Sequence, residues 1–284
     1  MPSEFANLSA VIENDVVRAL AEDVGSGDLT AQLLPADKRA SATVISRVPA
    51  VICGVAWFNA CFRKLDPQVE IQWSGLGGDG NLVKSNQQLC TLSGNTRALL
   101  TGERVALNFL QTLSAVATAT RRYVEAIKGT RAQIVDTRKT LPGLRIAEKY
   151  AVRGGGGANH RIGLFDGILI KENHIAAAGG IAAALKEAQR IVPSNIWIQI
   201  EVENLEQLLE ALAAGAKMIL LDNMHLEQLR KAVNLTAGRA QLEASGGVTL
   251  ENVRSIAETG VDRISIGSLT KDIQAVDLFM RFES

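Results

Sequence analysis

Six short β-branched runs, each followed by a helical segment, recur through the second half of this chain and leave few folds open to it. They cover residues 133–136, 167–171, 196–202, 218–222, 241–245 and 263–267. From Val135 through Ile170, Ile200, Leu221 and Glu243 to Ile266, the steps are 35, 30, 21, 22 and 23 residues. Strands separated by helices at such intervals form parallel βα units with right-handed crossovers. No sequence repeat accompanies the rhythm, which argues against a solenoid. The first hundred or so residues have a different texture. Residues 11–22 and 55–65 read as helices, and 41–47, 69–73 and 88–92 as strands. Residues 97–127 read as a long helical stretch with a break at Gly102. That pattern predicts an α+β domain.

The ends of the six runs carry the chemistry. They finish in Asp136-Thr137-Arg138-Lys139, Lys171, Glu201 with Glu203, Asp222-Asn223, Ser245-Gly246-Gly247, and Ser265-Ile266-Gly267. In a βα barrel the carboxyl ends of all strands converge on one face, and that face is where such folds do chemistry. Six strands each delivering a functional group to one rim favour a barrel over the alternative, an open doubly wound sheet.

Charge is concentrated near that rim. The chain as a whole has 30 Lys+Arg against 30 Asp+Glu, so no global charge recommends nucleic acid or an anionic membrane surface. Between Asp136 and Lys171, however, seven basic residues face three acidic ones. Arg145 and Lys149 read as the solvated face of a short helix. Arg138, Lys139, Lys171 and Arg161 read as ligand groups, because guanidinium grips carboxylate or phosphate bidentately while lysine serves as a point charge. Four glycines, Gly154 to Gly157, precede Ala158-Asn159-His160-Arg161. They read as a backbone passing close to a ligand, with a flexible connector as the alternative. Ser245–Gly247 and Ser265–Gly267 offer small residues and backbone N–H groups suited to a phosphate. Glu201 and Asp222 could hold a hard cation, sugar hydroxyls, or Lys171 itself. His174 reads as a structural residue. The pocket so assembled suits a phosphorylated sugar or diphosphate and an acidic co-substrate.

The remaining composition narrows the class. Seven Phe, three Trp and two Tyr are too few for a base-stacking platform. Cys53, Cys61 and Cys90 are an odd number in no metal-ligand spacing, which predicts core residues in a reducing compartment. Residues 105–120 form the longest uncharged stretch and carry Asn108, Gln111, Thr112 and Ser114, short of a membrane span. The first residues, with Glu4, Glu13 and Asp15, lack a signal peptide's basic start and apolar block. A cytoplasmic protein with neither nucleic-acid nor membrane partner is expected.

The residues also carry a family resemblance. Residues 22–30, Gly102-Glu103-Arg104, Asp136–Thr140 with Pro142–Arg145, and Asn159-His160-Arg161 resemble the quinolinate phosphoribosyltransferase family. So do Leu169-Ile170-Lys171 with Asn173-His174, Glu201–Asn204, Leu221-Asp222-Asn223 and Glu243–Gly247. The resemblance implies an N-terminal α+β sandwich-like domain, residues 1–112, and an incomplete six-stranded βα barrel, residues 113–273. The tail 274–284 is expected to pack with the first domain. The implied reaction joins quinolinate to phosphoribosyl pyrophosphate with Mg²⁺, releasing nicotinate mononucleotide, pyrophosphate and carbon dioxide in NAD biosynthesis. A head-to-tail homodimer is implied, with each barrel mouth covered by the partner's N-terminal domain.

On this chain the resemblance implies that Thr137, Arg138, Lys139, His160 and Arg161 bind quinolinate, and that Arg104 completes the partner's pocket. Lys139 and Lys171 reach the diphosphate, and Glu201 and Asp222 serve the ribose and the metal. Ser245, Gly246, Gly247, Ser265, Ile266 and Gly267 hold the 5′-phosphate. Lys139, Lys171, Glu201 and Asp222 form the implied catalytic set. Three rivals stand beside it: a phosphoribosyltransferase for nicotinate or another aromatic acid, a Schiff-base aldolase built on Lys171, and a non-catalytic quinolinate binder.

Overall fold

The computed structural model describes residues 7–193 and 196–283. Glu4 and the outermost residues of the expected domains lie outside that range. In chain order the first elements are α1 (Leu8–Val24), β1 (Arg39–Ser46), β2 (Ala50–Val51), α2 (Val55–Leu65), β3 (Glu70–Trp73), β4 (Leu82–Val83), β5 (Gln87–Asn95) and α3 (Thr96–Ala126). Then come β6 (Gln133–Val135), α4 (Arg145–Gly154), β7 (Ile168–Ile170), α5 (Glu172–Ala178), α6 (Ile181–Ile191), β8 (Ile198–Val202) and α7 (Leu205–Ala213). The last are β9 (Met218–Asp222), α8 (Leu226–Thr236), β10 (Gln241–Ser245), α9 (Val253–Ala257), β11 (Arg263–Ser265), α10 (Ser268–Lys271) and β12 (Leu278–Phe282). They divide into two compact units.

The first unit runs to Arg121 and includes residues 141–156 and 270–283. Its antiparallel sheet has the order β12-β1-β5-β3. Alternation along β1 buries Ala42, Val44 and Ser46, the period of a sheet with one face on a core. That core contains Trp57, Phe58 and Phe62 of α2, with Leu92, Leu99 and Leu110. The C-terminal strand β12 pairs with β1 from Ala42↔Phe282 to Ser46↔Leu278. All three cysteines are buried and unpaired here.

Several expectations change in this unit. Helix α3 is continuous through Gly102, where a break was expected. A Cβ there would sit 3.0 Å from the Phe62 ring, so this glycine admits close helix packing instead of ending the helix. The same holds in the glycine run: a Cβ on Gly155 would lie 2.5 Å from the Ala117 carbonyl and 2.6 Å from Thr120 Cβ. At Gly155 the tight approach is to α3, and not to a ligand. Helix α4 accordingly belongs with this unit, and the expected boundary at 112/113 falls inside α3. Lys149 of α4 is fully buried, not solvated, as is its neighbour Glu148.

One buried acid in this unit makes a testable case. Asp15 is 5% exposed, accepts a hydrogen bond from Trp57 Nε1 at 3.0 Å, and faces Arg18 at 3.2 Å. Burial raises its carboxyl above the usual range; the Trp57 bond and the Arg18 charge pull the other way. A raised folded-state pKa contributes stability below the unfolded value, and that contribution is lost as pH rises through the folded one. Asp15→Asn keeps an acceptor for Trp57 and removes the buried charge. The variant is expected to melt no lower than the parent at neutral pH, and its advantage to shrink as pH falls toward about 4, the ordinary Asp range. Thermal melts at several pH values check this; an advantage that grows on acidification contradicts it.

The second unit, residues 122–140 and 157–269, holds the parallel sheet in the order β6-β11-β10-β9-β8-β7. From β7 to β11 each strand lies beside its predecessor, and β6 returns beside β11. A doubly wound sheet would reverse direction part-way. The continuous winding is that of a βα barrel left open between β6 and β7. At the free edge of β6, Ala158 makes a parallel bridge to Val135, with Ala158 N–H donating to Ile134 O at 2.8 Å. That bridge brings the segment bearing His160 and Arg161 to the barrel.

Candidate active site

In the second unit, the parallel register places the strand ends side by side: Ser245 beside Asp222, Val202 beside Leu221, and Ser265 beside Val135. Thr137, Arg138, Lys139, Lys171, Glu201, Asp222, Ser245–Gly247 and Ser265–Gly267 therefore end neighbouring strands of one sheet. Arg104 lies on α3 in the other unit and is exposed.

The cationic end is built from Arg138 and Arg161. Arg161 is half-buried and anchored by Nη1 donating to Gly167 O at 2.9 Å. Burial lowers its pKa from the ordinary guanidinium value, the Arg138 charge lowers it further, and Asp166 partly compensates. Two guanidinium groups thus feel each other's charge, and the Nε–H of Arg138 is buried with no hydrogen-bond partner. Like charges held together in a partly dry site call for an anion between them. Asp166 folds the loop that follows Arg161, accepting from the amides of Ile162 at 2.7 Å and Gly163 at 2.8 Å. Gly167 has no room for a Cβ, which would fall 2.5 Å from the Trp197 ring. Lys139 is exposed, its amide donating to Thr137 Oγ1 at 3.1 Å. Its side chain runs across Gly267, where a Cβ would meet Lys139 Cδ at 2.9 Å.

The acidic end is preorganised differently. Lys171 Nζ donates to Glu201 Oε2 at 2.8 Å across adjacent strands. Lys171 N–H donates to His174 Nδ1 at 3.0 Å, which shapes the start of α5. His174 is thus a local structural residue, as its sequence context suggested. Asn223 Nδ2 donates to Asp222 Oδ2 at 2.8 Å, holding that carboxylate, and Asn223 N–H donates to Ser245 O. Glu172, Glu201 and Glu203 line a small open hollow with Ile175 and Gln207, so negative potential gathers on this side. Lys171 is exposed and ion-paired. That is the setting of a charge carrier, unlike the desolvated amine of an aldolase.

Gly246 locks the loop that follows β10. Its φ is +97°, and a Cβ would fall 2.0 Å from Asn223 Oδ1. Gly247, at φ +58°, has open space. Gly246→Ala is expected to cost at least about 1–3 kcal/mol for backbone strain alone, and to lower turnover by displacing Asn223 and with it Asp222. Gly247→Asn should lose less stability, because asparagine tolerates left-handed backbone. Thermal melts of the pair measure the difference; equal losses would contradict the clash.

His160 departs from expectation. Its ring is 7% exposed and both nitrogens have partners inside the protein. Nδ1 accepts the Arg161 amide at 2.8 Å, and Nε2 faces Gln199 Oε1 at 2.9 Å. With its nitrogens engaged inward, the imidazole braces the Arg161 backbone. Asp136 is also fully buried, accepting from the His160 amide at 2.9 Å and from Asn159 Nδ2.

Below the rim lies a polar layer that sequence reading missed. Gln199 Nε2 donates to Glu243 Oε2 at 3.2 Å, and Arg263 Nε lies 3.2 Å from the same oxygen. Gln199 and Glu243 are each 1% exposed. The available signal was period two: Gln199 shares a face with Glu201, Glu243 with Ser245, and Arg263 with Ser265.

Comparison with known proteins covers nearly the whole chain. The family models for the quinolinate phosphoribosyl transferase N-terminal and C-terminal domains match residues 28–114 and 116–281. A probable nicotinate-nucleotide pyrophosphorylase [carboxylating] of Bacillus subtilis is 43% identical over 259 residues, 91% of this chain and 89% of that protein. One from Synechocystis is 43% identical over 265 residues, covering 92% and 89%. The structure of the nicotinate-nucleotide pyrophosphorylase from Francisella tularensis superimposes with a TM-score of 0.93 at 44% identity, covering 96% of each chain.

Proposed function

The chain belongs to the quinolinate phosphoribosyl transferase family, and on that premise we propose how its site works. The enzyme transfers the phosphoribosyl group of phosphoribosyl pyrophosphate to quinolinate with decarboxylation, giving nicotinate mononucleotide, pyrophosphate and carbon dioxide for NAD biosynthesis. The observation that carries the substrate assignment is the Arg138–Arg161 pair, two mutually repelling guanidinium groups, one with a buried unpartnered N–H. A dicarboxylate satisfies both. Lys139, beside Thr137, adds a third cation at the same strand end, between the acid and the diphosphate.

Lys171 meets the departing pyrophosphate, and Glu201 and Asp222 face the ribose hydroxyls. Ser245–Gly247 and Ser265–Gly267 receive the 5′-phosphate on backbone N–H groups. As the C1–O bond to pyrophosphate breaks, positive charge develops on the sugar, and the two carboxylates favour it. The pyridine nitrogen forms the new bond to C1 and becomes cationic. That charge stabilises the electron pair left on the ring carbon when the adjacent carboxylate departs as carbon dioxide, and that pair then takes up a proton. No covalent intermediate with the protein is required, so most of the acceleration comes from positioning and fixed charge.

Mg²⁺ fits this donor set in one way. Among the described residues there is no group of three or more His, Cys, Asp or Glu able to cage a metal. Glu201 and Asp222 supply hard oxygens at adjacent strand ends, the number Mg²⁺ takes when substrate oxygens complete its shell. When bound there, the ion would neutralise diphosphate charge. A cytoplasmic setting agrees with three buried, unpaired cysteines.

We further propose a homodimer in which Arg104 serves the partner's quinolinate pocket. Arg104 is exposed on α3, where its guanidinium is open to a ligand or a second chain. Mixing Arg104→Ala chains with Arg138→Ala chains is expected to restore part of the activity that each lacks, because one of the two sites in a hybrid is intact. A mixture no more active than its components would sink the shared site.

The reaction itself is tested with quinolinate, phosphoribosyl pyrophosphate and Mg²⁺, following carbon dioxide and pyrophosphate together and running nicotinate in parallel. Equal release from quinolinate alone is expected. Turnover of nicotinate, or quinolinate binding without products, would contradict the assignment.

A further inference from the structure

The polar layer beneath the rim has a direction, and that direction assigns a role to a residue outside the substrate-binding set. At one end the Arg161 amide can only donate, so His160 Nδ1, 2.8 Å away, must be an unprotonated acceptor. The proton of the neutral ring then sits on Nε2, which faces Gln199 Oε1 at 2.9 Å. At the other end Glu243 is ion-paired at 3.2 Å with Arg263, in register with it on the next strand, and a carboxylate so paired can only accept. Gln199 must therefore turn its NH₂ to Glu243, at 3.2 Å, and its carbonyl to His160. Each bond in the series donates the same way, from the Arg161 amide toward Glu243.

We propose that Gln199 is a positioning residue: its carbonyl holds His160 in the Nε2–H form, and that form holds the backbone from which Arg161 reaches substrate. The inference rests on the reading that Arg161 grips a quinolinate carboxylate. Its physical content is a competition. Glu243 Oε1 lies 3.7 Å from His160 Nε2, close enough to attract an imidazolium but beyond hydrogen-bond distance. The Gln199 carbonyl occupies the near position and offers a neutral acceptor, which keeps the ring uncharged. Without that carbonyl, the nearest acceptor is a buried carboxylate, which favours the doubly protonated ring. Nδ1–H would then face the Arg161 N–H, donor against donor, and the bond that seats Arg161 would be lost. The charged groups around the ring are Glu243 on β10, Arg263 on β11 and Asp136 following β6, which accepts the His160 amide. Trp197 packs edge-on at 5.0 Å between ring centroids and blocks rotation on that side.

The test uses the full-length enzyme and Gln199→Met, which keeps shape and removes the carbonyl. Nitrogen-15 NMR of the imidazoles is tractable with only three histidines in the chain. The parent's His160 is expected to show a bare Nδ1 and a protonated Nε2. In Gln199→Met it should show both nitrogens protonated near neutrality, with the quinolinate KM raised roughly tenfold, the size of one lost bond of about 1.4 kcal/mol. KM for phosphoribosyl pyrophosphate should stay within about twofold of the parent's, and raising the pH should return the quinolinate KM toward it. A merely structural defect would not be undone by alkali. A parent His160 protonated at Nδ1 overturns the proposal even if the variant fails to fold. So does a Gln199→Met quinolinate KM equal to the parent's in an enzyme where Arg161→Ala raises it. If Arg161→Ala leaves that KM unmoved, the assignment of Arg161 fails, and the proposed consequence of the histidine state falls with it.

Discussion

Arg161→Ala is expected to cut kcat/KM for quinolinate by roughly 30- to 5,000-fold, which corresponds to about 2–5 kcal/mol for truncating one side of a buried, hydrogen-bonded charge pair. The range is wide because the substrate carboxylate left behind either finds Arg138 alone or stays unpaired. Arg138→Ala should fall in the same range, since each guanidinium lowers the cost of the shared anion and raises the cost of its absence. Arg161→Lys separates charge from shape. Lysine keeps the positive charge but loses the planar fork and the Nη1 anchor to Gly167 O, so activity should lie between alanine and parent. Steady-state kinetics with quinolinate varied at saturating phosphoribosyl pyrophosphate decides the matter. Parent-like constants in both alanine variants would refute the dicarboxylate pocket. An effect confined to the other substrate's KM would move the arginines to the diphosphate.

The second large effect is at Lys171. Its replacement by methionine is expected to lower kcat by about 10²–10³-fold, the scale seen when one fixed charge or donor at a developing anion is removed. Lys171 and Glu201 neutralise each other at 2.8 Å, with the lysine side chain 49% and the glutamate side chain 16% exposed. Methionine therefore also strands a largely buried carboxylate. Thermal melts separate the two contributions, because Glu201 itself serves the reaction. A stranded carboxylate lowers the Tm of Lys171→Met, and Glu201→Gln in that background restores it. Loss of the ammonium's action on pyrophosphate lowers kcat whether or not the Tm is restored. Lys171→Arg should retain part of the rate, and a kcat within about twofold of the parent in Lys171→Met would remove this residue from the reaction.

Much of the site was legible because its residues sit where a local pattern ends. Arg138, Lys139, Lys171, Glu201 and Asp222 each follow an apolar run, and parallel strands put such positions on one face without further information. Less of the support was legible. Gln199 reads as an ordinary polar position in a strand until β10 and β11 are seen to bring Glu243 and Arg263 beside it. His160 looked like a ligand group because it adjoins Arg161, yet the Ala158 bridge to β6 goes with a ring held between Gln199 and the Arg161 amide. Lys149 looked solvated and is buried. Gly102 looked like a break, and Gly155 like part of a ligand loop; both are places where helices come close.

By itself, then, the sequence determined the parallel βα architecture, the uneven charge and the chemistry of the rim, because period and residue type are local properties that need no partner to be read. The tertiary structure alone decided which arginines feel each other's charge, which way the histidine turns and what holds it there. Those depend on distances between strands far apart in sequence, and on hydrogen-bond directions that exist only once donor and acceptor have been brought together.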